Sequence, residues 1–240
     1  MPRGRLGHAA YHRLWPALSG GWPRLGDVTD GLFIAFEGGD GAGKSTQVAL
    51  LRDAFEAAGR TVTVTRQPGG TELGQRIRDL VLHGDHVAPR AEALLFAAAR
   101  AQLVASRVRP LLEAGEWVLL DRFVDSSLAY QGGGRGLGVS AVRELNLFAT
   151  GGLVPDVTFL LRLSPAEGLA RISGRAFDRL EGSGEAFFSA VAAAYDELAA
   201  AEPDRFVMLD ALQPPDVLLE AALAAVSSRS RGGPGERQAG

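Results

Sequence analysis

The chain has 240 residues, of which 46% are hydrophobic, enough to build a full core in one domain or at most two. Its net charge of −3 argues against a protein that coats nucleic acid, and its lack of cysteine excludes disulfides, thiolate metal sites and cysteine nucleophiles. No apolar run reaches the length of a membrane span, so we expect no membrane partner.

Residues 1–30 are predicted to be a disordered extension. Four arginines precede the first acidic residue, Asp27, and three prolines interrupt the segment. A signal peptide would need a continuous apolar stretch, which is missing here. A transit peptide is compatible with this composition, but a dispensable extension is the simpler interpretation. We therefore expect the folded domain to span residues 31–226.

The strongest motif follows the apolar run 32–36. The chain reads Glu37-Gly38-Gly39-Asp40-Gly41-Ala42-Gly43-Lys44-Ser45-Thr46, which satisfies the pattern G-x-x-x-x-G-K-[ST] from Gly38 to Ser45. The glycines let successive backbone N–H groups point at a polyphosphate, and the helix that follows adds the positive end of its dipole. Lys44, the only lysine in the chain, can reach the β and γ phosphates, and Ser45 can bind Mg²⁺. Residues 38–46 are therefore predicted to bind a nucleotide.

The segments around this loop predict a parallel α/β fold. Residues 32–36 read as a buried strand, residues 45–58 as a helix ended by Gly59, and residues 60–65 as a second strand. In such sheets ligands bind beyond the carboxyl ends of the strands. Arg66 stands at that end, in the bend Arg66-Gln67-Pro68-Gly69-Gly70-Thr71, and is a candidate phosphate ligand.

A long helix is predicted over residues 91–108. Phe96 and Arg100 stand four residues apart on it and share a face. Phe96 alone would be read as a core residue, but a guanidinium in an apolar segment needs a partner. An aromatic face beside such a donor suits a planar base.

The apolar run 117–120 predicts a third buried strand, which ends in Asp121-Arg122. A carboxylate at such a strand end, after a phosphate loop, commonly reaches Mg²⁺ directly or through water. A salt bridge between the two neighbours is the weaker alternative, because adjacent strand residues point to opposite faces. Asp121 is therefore a predicted metal ligand, together with Ser45.

The rest of the chain predicts two more strands and a lid. The run 132–136, with four glycines, is expected to be a mobile loop near the site. Residues 156–163 and 206–210 complete a five-stranded parallel sheet with helices on both faces, two of those helices being 185–201 and 215–226. Between them the polar stretch with Arg171, Arg175 and Arg179 is a candidate lid, because an arginine over a transferred phosphoryl group accelerates transfer by roughly 10³ to 10⁵. Residues 227–240 read as a disordered tail.

Four blocks of sequence resemble the thymidylate kinase family of P-loop nucleoside monophosphate kinases. These blocks are 36–46, 65–71, 94–100 and the segment that runs from Asp121-Arg122-Phe123 to Gln131-Gly132. The second and fourth are specific to the family, whereas the phosphate loop alone is not. The resemblance covers about residues 31–226 and implies phosphorylation of dTMP by ATP with Mg²⁺, in the synthesis of dTTP.

The resemblance also implies how the substrate is bound. Phe96 would stack on thymine, Arg100 would donate to its O4, Ser127 would face its N3 edge, and Tyr130 would crowd a ribose 2′-OH. Arg66 and Arg122 would hold the dTMP phosphate, with Ser126 and Gln131 in the same pocket. A base stacked on an aromatic ring gains roughly 1 to 3 kcal/mol, and a phosphate prefers fork-shaped donors.

Catalysis is implied to rest on a small set of charged residues. Lys44 and Arg122 would neutralise the two phosphate groups, and Asp40 would lie near the sugar 3′-OH or a metal-bound water. Gly41 follows Asp40, so the resemblance places the catalytic arginine on the lid, at Arg175 or Arg179, and the sequence does not choose between them. One departure stands out, since the family usually has Glu at the position of Gln67.

Two alternatives use the same loop. A kinase for another nucleoside monophosphate would share the machinery, and a catalytically silent nucleotide-binding module would share the fold. A GTP-binding switch is excluded because its Asn-Lys-x-Asp motif needs a second lysine. The resemblance further implies a cytoplasmic homodimer.

Overall fold

Five parallel strands form the centre of the computed structural model, which describes residues 31–173 and 178–230. The strands are β1 (Phe33–Gly38), β2 (Val62–Arg66), β3 (Trp117–Asp121), β4 (Val157–Arg162) and β5 (Phe206–Asp210). They are ordered β2-β3-β1-β4-β5, and every neighbouring pair is parallel. This confirms the predicted five-stranded parallel sheet, with strand ends within two residues of those expected.

Nine α-helices connect and flank the strands. They are α1 (Lys44–Ala57), α2 (Glu72–His83), α3 (Pro89–Leu103), α4 (Arg109–Glu113), α5 (Val124–Ser127), α6 (Val139–Thr150), α7 (Pro165–Ile172), α8 (Glu185–Ala201) and α9 (Pro215–Ser230). Two π-helical segments, Val104–Val108 and Leu128–Gly134, follow α3 and α5, and a 3₁₀ turn spans Glu181–Ser183. This count refers to residues 31–173 and 178–230.

Helices cover both faces of the sheet. On one face α1 and α9 pack against the strands in a cluster that includes Leu51, Phe55, Trp117 and Leu219. On the other face α2, α3 and α8 pack around a second cluster that includes Phe96 and Tyr195. The three central strands β1, β3 and β4 are therefore buried from both sides, which is why they read as nearly continuous apolar runs, whereas the edge strands β2 and β5 are partly exposed.

The register of the strands gathers polar residues at one edge of the sheet. Phe36 of β1 pairs with Asp121 of β3, and Arg66 of β2 pairs with the same Asp121. The carboxyl ends of β1, β2 and β3 consequently lie side by side, with the phosphate loop leaving β1 at that level. The predicted phosphate and metal ligands share this edge for that reason.

The predicted mobile loop at residues 132–136 is wrong. The π-helical segment Leu128–Gly134 runs through most of it and packs against α8. A Cβ atom on Gly133 would lie 2.7 Å from the Ala194 Cβ, and one on Gly134 would lie 2.5 Å from the Phe187 Cε2. Both glycines therefore serve close packing. A glycine-rich sequence is compatible with close packing and with a flexible loop, so the sequence alone does not show which one occurs.

Several boundaries also differ from prediction. The helix expected over 91–108 is α3 followed by a π-helical segment, and α2, α6 and α7 were not predicted. Helix α9 continues to Ser230, so the tail predicted from residue 227 begins four residues too early. The predicted extension 1–30 and the rest of that tail lie outside the described residues. In the described part of the chain, every helix is too short or too polar to cross a membrane.

Candidate active site

The phosphate loop joins β1 to α1 through residues 39–43. Its backbone needs glycine: Gly41 has φ of 77°, and a Cβ there would lie 2.5 Å from the carbonyl oxygen of Gly168. Gly43, with φ of 90°, is the N-cap of α1, and its carbonyl accepts from the Thr46 and Gln47 N–H groups. The loop is therefore held close against the start of α7, with its own glycines making that approach possible.

Lys44 lies over this loop. Its Nζ donates to the carbonyl oxygens of Gly38, at 3.1 Å, and Gly39, at 2.7 Å, and its side chain is buried. Burial and the nearby Arg122 lower its pKa to about 8, although Asp40 and other carboxylates oppose the shift. An ammonium held in this way is poised to exchange carbonyl partners for phosphate oxygens.

Ser45 and Asp121 meet beside the loop. The Ser45 hydroxyl donates to Asp121 Oδ2 at 2.7 Å, which brings together two oxygen ligands of the kind Mg²⁺ prefers. No cluster of three or more His, Cys, Asp or Glu side chains that could hold a metal occurs among residues 31–173 and 178–230. Mg²⁺ commonly takes one or two protein ligands and completes its shell with water and phosphate.

Arg122 follows Asp121 and forms the charged centre of the site. Its guanidinium donates to Asp40 Oδ1 at 2.7 Å and to Ser126 Oγ at 3.2 Å, and it lies 5.1 Å from the centre of the Tyr130 ring. The Tyr130 hydroxyl donates to the other oxygen of Asp40 at 3.1 Å. Burial alone would raise the pKa of Asp40, but Arg122, Lys44 and these hydrogen bonds hold it below its usual value.

A cavity beside this centre collects the residues predicted to bind a base. Phe96, Arg100, Ser126, Ser127, Tyr130 and Gln131 all line it. Gln131 is fixed by a 2.9 Å hydrogen bond from its amide nitrogen to Glu92. The aromatic ring, the guanidinium and the hydroxyl groups thus line one cavity. The spacing of Phe96 and Arg100 predicts that these two share a face, and the family resemblance implies the other residues.

Arg100 is fully buried, and its hydrogen-bond partners are neutral. Its Nε donates to Gln67 Oε1 at 2.7 Å, its Nη1 donates to Asn146 Oδ1, and its Nη2 donates to Ser127 Oγ and the Phe123 carbonyl, both at 3.0 Å. Burial lowers its pKa to about 10. Four of its five N–H groups are accounted for, which leaves one on Nη1 for a ligand. The side-chain oxygens of Gln67 and Asn146 are therefore among the acceptors that the buried guanidinium requires.

A second cavity lies over the phosphate loop. Lys44, Ser45, Arg66, Asp121 and Arg122 line it, as predicted. Two further arginines do so as well: Arg78, whose Nη1 donates to the Pro68 carbonyl at 3.2 Å, and Arg171, which donates to the carbonyls of Gly41 and Ala211.

The sequence analysis assigned no role to Arg78 and named Arg171 only as part of the candidate lid. Arg78 lies on α2, which was not predicted, although Thr71 caps that helix and Ile77 and Val81 give it a helical apolar pattern. Arg171 was placed in the lid stretch, whereas it stands on α7. The capping box of α7, formed by Ser164 and Glu167, is the signal that could have revealed this helix.

Of the two arginines predicted to act from the lid, the structure describes only one. Arg175 lies outside the described residues, in the gap 174–177. The side chain of Arg179 is engaged by other groups: its Nη2 pairs with the buried Glu92, and its Nε donates to the Val81 carbonyl at 2.7 Å. Glu92 also binds Arg135 and is completely buried. Among the described residues, the structure thus brings the predicted site residues other than Arg179 together at one edge of the sheet, whereas Arg179 is held by Glu92.

Known proteins are similar in sequence to this chain over most of its length. The sequence model of the family described as thymidylate kinase matches residues 36–222. A protein named thymidylate kinase from Bifidobacterium longum is 53% identical over 204 residues, which is 83% of this chain and 97% of that protein. Proteins of the same name from Deinococcus radiodurans and Leifsonia xyli are 51% identical over 204 residues and 57% identical over 188 residues. Those matches cover 84% and 77% of this chain, and 99% and 89% of the respective relatives.

Proposed function

Since the chain belongs to the thymidylate kinase family, we propose that it transfers the γ-phosphoryl group of ATP to dTMP, with Mg²⁺, and so supplies dTDP for the synthesis of dTTP. We place this activity in the cytoplasm, where ATP is made and used.

The observation that carries the proposal is that the two cavities share a wall. Asp40, Gln67, Arg78 and Arg122 line both the cavity over the phosphate loop and the cavity with Phe96 and Arg100. A polyphosphate on the loop and a monophosphate whose base lies by Phe96 would therefore meet at Arg122. In-line transfer between two bound anions needs this kind of shared positive centre.

The donor side is assigned to the phosphate loop. Backbone N–H groups of residues 38–46 would bind the phosphates, and Lys44 would neutralise the β and γ groups. Ser45 and Asp121 would hold Mg²⁺, which supplies charge neutralisation on the phosphate oxygens when it is bound. Arg171, on the other side of the loop, would add a further positive charge.

The acceptor side is assigned to the cavity lined by Phe96 and Arg100. Arg66, Arg78 and Arg122 would hold the dTMP phosphate, because forked donors suit phosphate oxygens. Phe96 would stack on the thymine, and the free N–H of Arg100 would donate to its O4. Ser126, Ser127, Tyr130 and Gln131 would complete the base and sugar pocket. No general base is required, since the attacking phosphate oxygen is already ionised near neutral pH.

A lid arginine completes the proposed machinery. Arg179 is engaged by Glu92, so of the two arginines predicted for this role we assign it to Arg175. Replacing Arg175 by Ala should lower kcat by about 10³-fold, because charge stabilisation at the transferred group is lost. Replacing Arg179 by Ala should act mainly on stability, and the reverse pattern would contradict the assignment.

The test is ADP formation from ATP and Mg²⁺ with dTMP, beside UMP, dCMP and AMP. We expect strong turnover with dTMP alone, and its loss in Lys44→Ala. The matched control is Arg52→Ala on the same helix, whose charge pairs with Asp53 at the surface and should leave turnover unchanged. A preference for another monophosphate would keep the kinase and overturn the base assignment. Turnover in Lys44→Ala equal to that of the wild type would contradict the role of the loop.

We also propose that the chain forms a homodimer through α3 and α6. These helices pack on each other and expose Leu94, at 58%, Leu147, at 49%, and Phe148, at 90%. Large apolar side chains that cluster on a surface mark protein interfaces. Light scattering should give twice the chain mass for the wild type and the single chain mass for Phe148→Glu. Val217→Glu on α9, also an exposed apolar position, should remain dimeric, and a monomeric wild type would refute the proposal.

A further inference from the structure

Glu37 is a buried carboxylate for which the proposed mechanism has no use. It is the second-last residue of β1, directly before the phosphate loop, and its solvent exposure is 0%. Four donors reach it: the Phe123 N–H at 2.7 Å, the Ser126 N–H at 3.2 Å, the Ser126 hydroxyl at 2.6 Å and the Tyr195 hydroxyl at 2.9 Å. Three of these belong to the segment immediately after Arg122. The carboxylate is therefore bound to the turn that carries the acceptor arginine.

The backbone of Arg122 needs such support. Its φ is 69°, and it is the only residue other than glycine with a positive φ in the described ranges 31–173 and 178–230. A non-glycine residue keeps that conformation only where its surroundings over-determine it. The Arg122 N–H donates to the Phe36 carbonyl at 2.9 Å, and the next N–H donates to Glu37. Two successive residues of β1 thus hold the chain on both sides of the strained position.

The side chain of Arg122 is held through the same carboxylate. The Ser126 hydroxyl donates to Glu37 and accepts from Arg122 Nη1 at 3.2 Å. It also lies 3.0 Å from the Tyr195 hydroxyl, whose own proton goes to Glu37. Tyr195 belongs to α8 and is buried, so this network ties three separate elements to one guanidinium.

We propose that Glu37 is a positioning residue that presets Arg122 for the acceptor phosphate, with Ser126 and Tyr195 as the links through which it acts. This inference rests on the proposed function for the identity of the phosphate that Arg122 binds. Because Glu37 also precedes Gly38, one residue of β1 sets the donor loop and the acceptor arginine relative to each other. Such supporting residues commonly change function by about 10-fold to 100-fold when they are removed.

The test measures kcat and the KM of each substrate separately, together with Tm, in Glu37→Ala, Glu37→Gln and Tyr195→Phe. We expect Glu37→Ala to raise the KM for dTMP and lower kcat by about 10-fold or more each, while the KM for ATP changes less than about 2-fold. Glu37→Gln should recover most of the loss, because an amide oxygen still accepts the Phe123 and Ser126 N–H bonds. Tyr195→Phe should show a smaller loss of the same pattern.

The controls separate positioning from stability. Thr63→Val removes a hydroxyl that donates to Glu116 at 3.1 Å, away from Arg122, and should leave all kinetic constants unchanged. If Glu37→Ala does not fold, Glu37→Gln and Tyr195→Phe still decide the question. A fall in kcat that follows the folded fraction, with both KM values unchanged, would overturn the inference. The same comparison is made with whichever monophosphate the wild type uses, so an error in the substrate assignment is recognised separately.

Discussion

At the scale of single residues, Lys44 is the group whose environment has the clearest consequence for pH. Its pKa of about 8 means that the ligand-free protein holds a neutral amine in the loop between pH 8 and the ordinary value of 10.5. The unfolded chain binds a proton there that the folded chain does not, so this residue makes the free protein more stable as the pH rises through that window.

Nucleotide binding should have the opposite dependence on pH, because phosphate favours the ammonium form. We expect the affinity for ADP to fall as the pH rises above 8, by up to about 10-fold per pH unit. Calorimetric titration between pH 7 and 10 in two buffers should detect uptake of a proton on binding. Lys44→Met should bind weakly with no such uptake, and an unchanged affinity across the range in the wild type would contradict the prediction.

A second prediction at the scale of single residues concerns Gln67. Its oxygen must face Arg100, because the guanidinium only donates, and its buried amide nitrogen has no hydrogen-bond partner among residues 31–173 and 178–230. In Gln67→Glu a carboxylate would pair with Arg100 and remove that orphan donor, so we expect the free energy of unfolding to rise by about 1 to 2 kcal/mol at pH 7.

The pH dependence of that gain provides its control. The new carboxylate would have a lowered pKa in the folded state, so the gain should be present above its unfolded pKa and be lost as the pH falls through the folded value. Urea unfolding at pH 7 and at about pH 2, below the folded pKa of the new carboxylate, measures the gain and its loss. A variant less stable than the wild type at pH 7 would show that desolvation of the carboxylate outweighs the pairing.

At the scale of elements, the prediction of a mobile loop at residues 132–136 was wrong, because glycines there serve close packing. Gly134→Ala should destabilise the protein by about 1 to 3 kcal/mol, because the added Cβ would overlap the Phe187 ring. Gly182→Ala is the matched control, since its Cβ would meet no atom within 4 Å and its φ is not positive. Thermal unfolding compares the two, and an unaffected Gly134→Ala would restore the mobile-loop interpretation.

The strands, α1, α8 and the phosphate loop of the candidate site could be predicted because their signals are local. A buried parallel strand is a continuous apolar run, and the phosphate loop is a contiguous motif. The role of Arg179 could not be predicted, because it depends on Glu92, which lies 87 residues away along the chain. Arg78 was missed for a different reason: its place beside the phosphate loop follows from the packing of α2, a helix that was itself not recognised.

At the scale of the whole molecule, the described contacts of the sheet begin near residue 32. The Phe33 N–H donates to Asp156, and the Leu32 carbonyl accepts from Val118, so β1 is fixed at its first residues. We therefore expect a chain that starts at Gly31 to keep the Tm and the dTMP-dependent turnover of the full chain. A matched deletion that starts at Phe36 removes half of the central strand and should not fold. Loss of turnover in the shorter deletion would assign residues 1–30 a function.

The single lysine makes the proposed nucleotide site the one position where a side chain can react with an amine-directed reagent. Every other basic side chain is a guanidinium or an imidazole, so amine-directed acylation has one side-chain target, apart from the amine at the start of the chain. With a pKa of about 8, Lys44 carries a nucleophilic amine under mild conditions, where ordinary lysines are protonated. A bound nucleotide would occupy the same space and block the reaction at Lys44. The mass that the reagent adds to the intact protein would therefore report the fraction of molecules whose site is vacant.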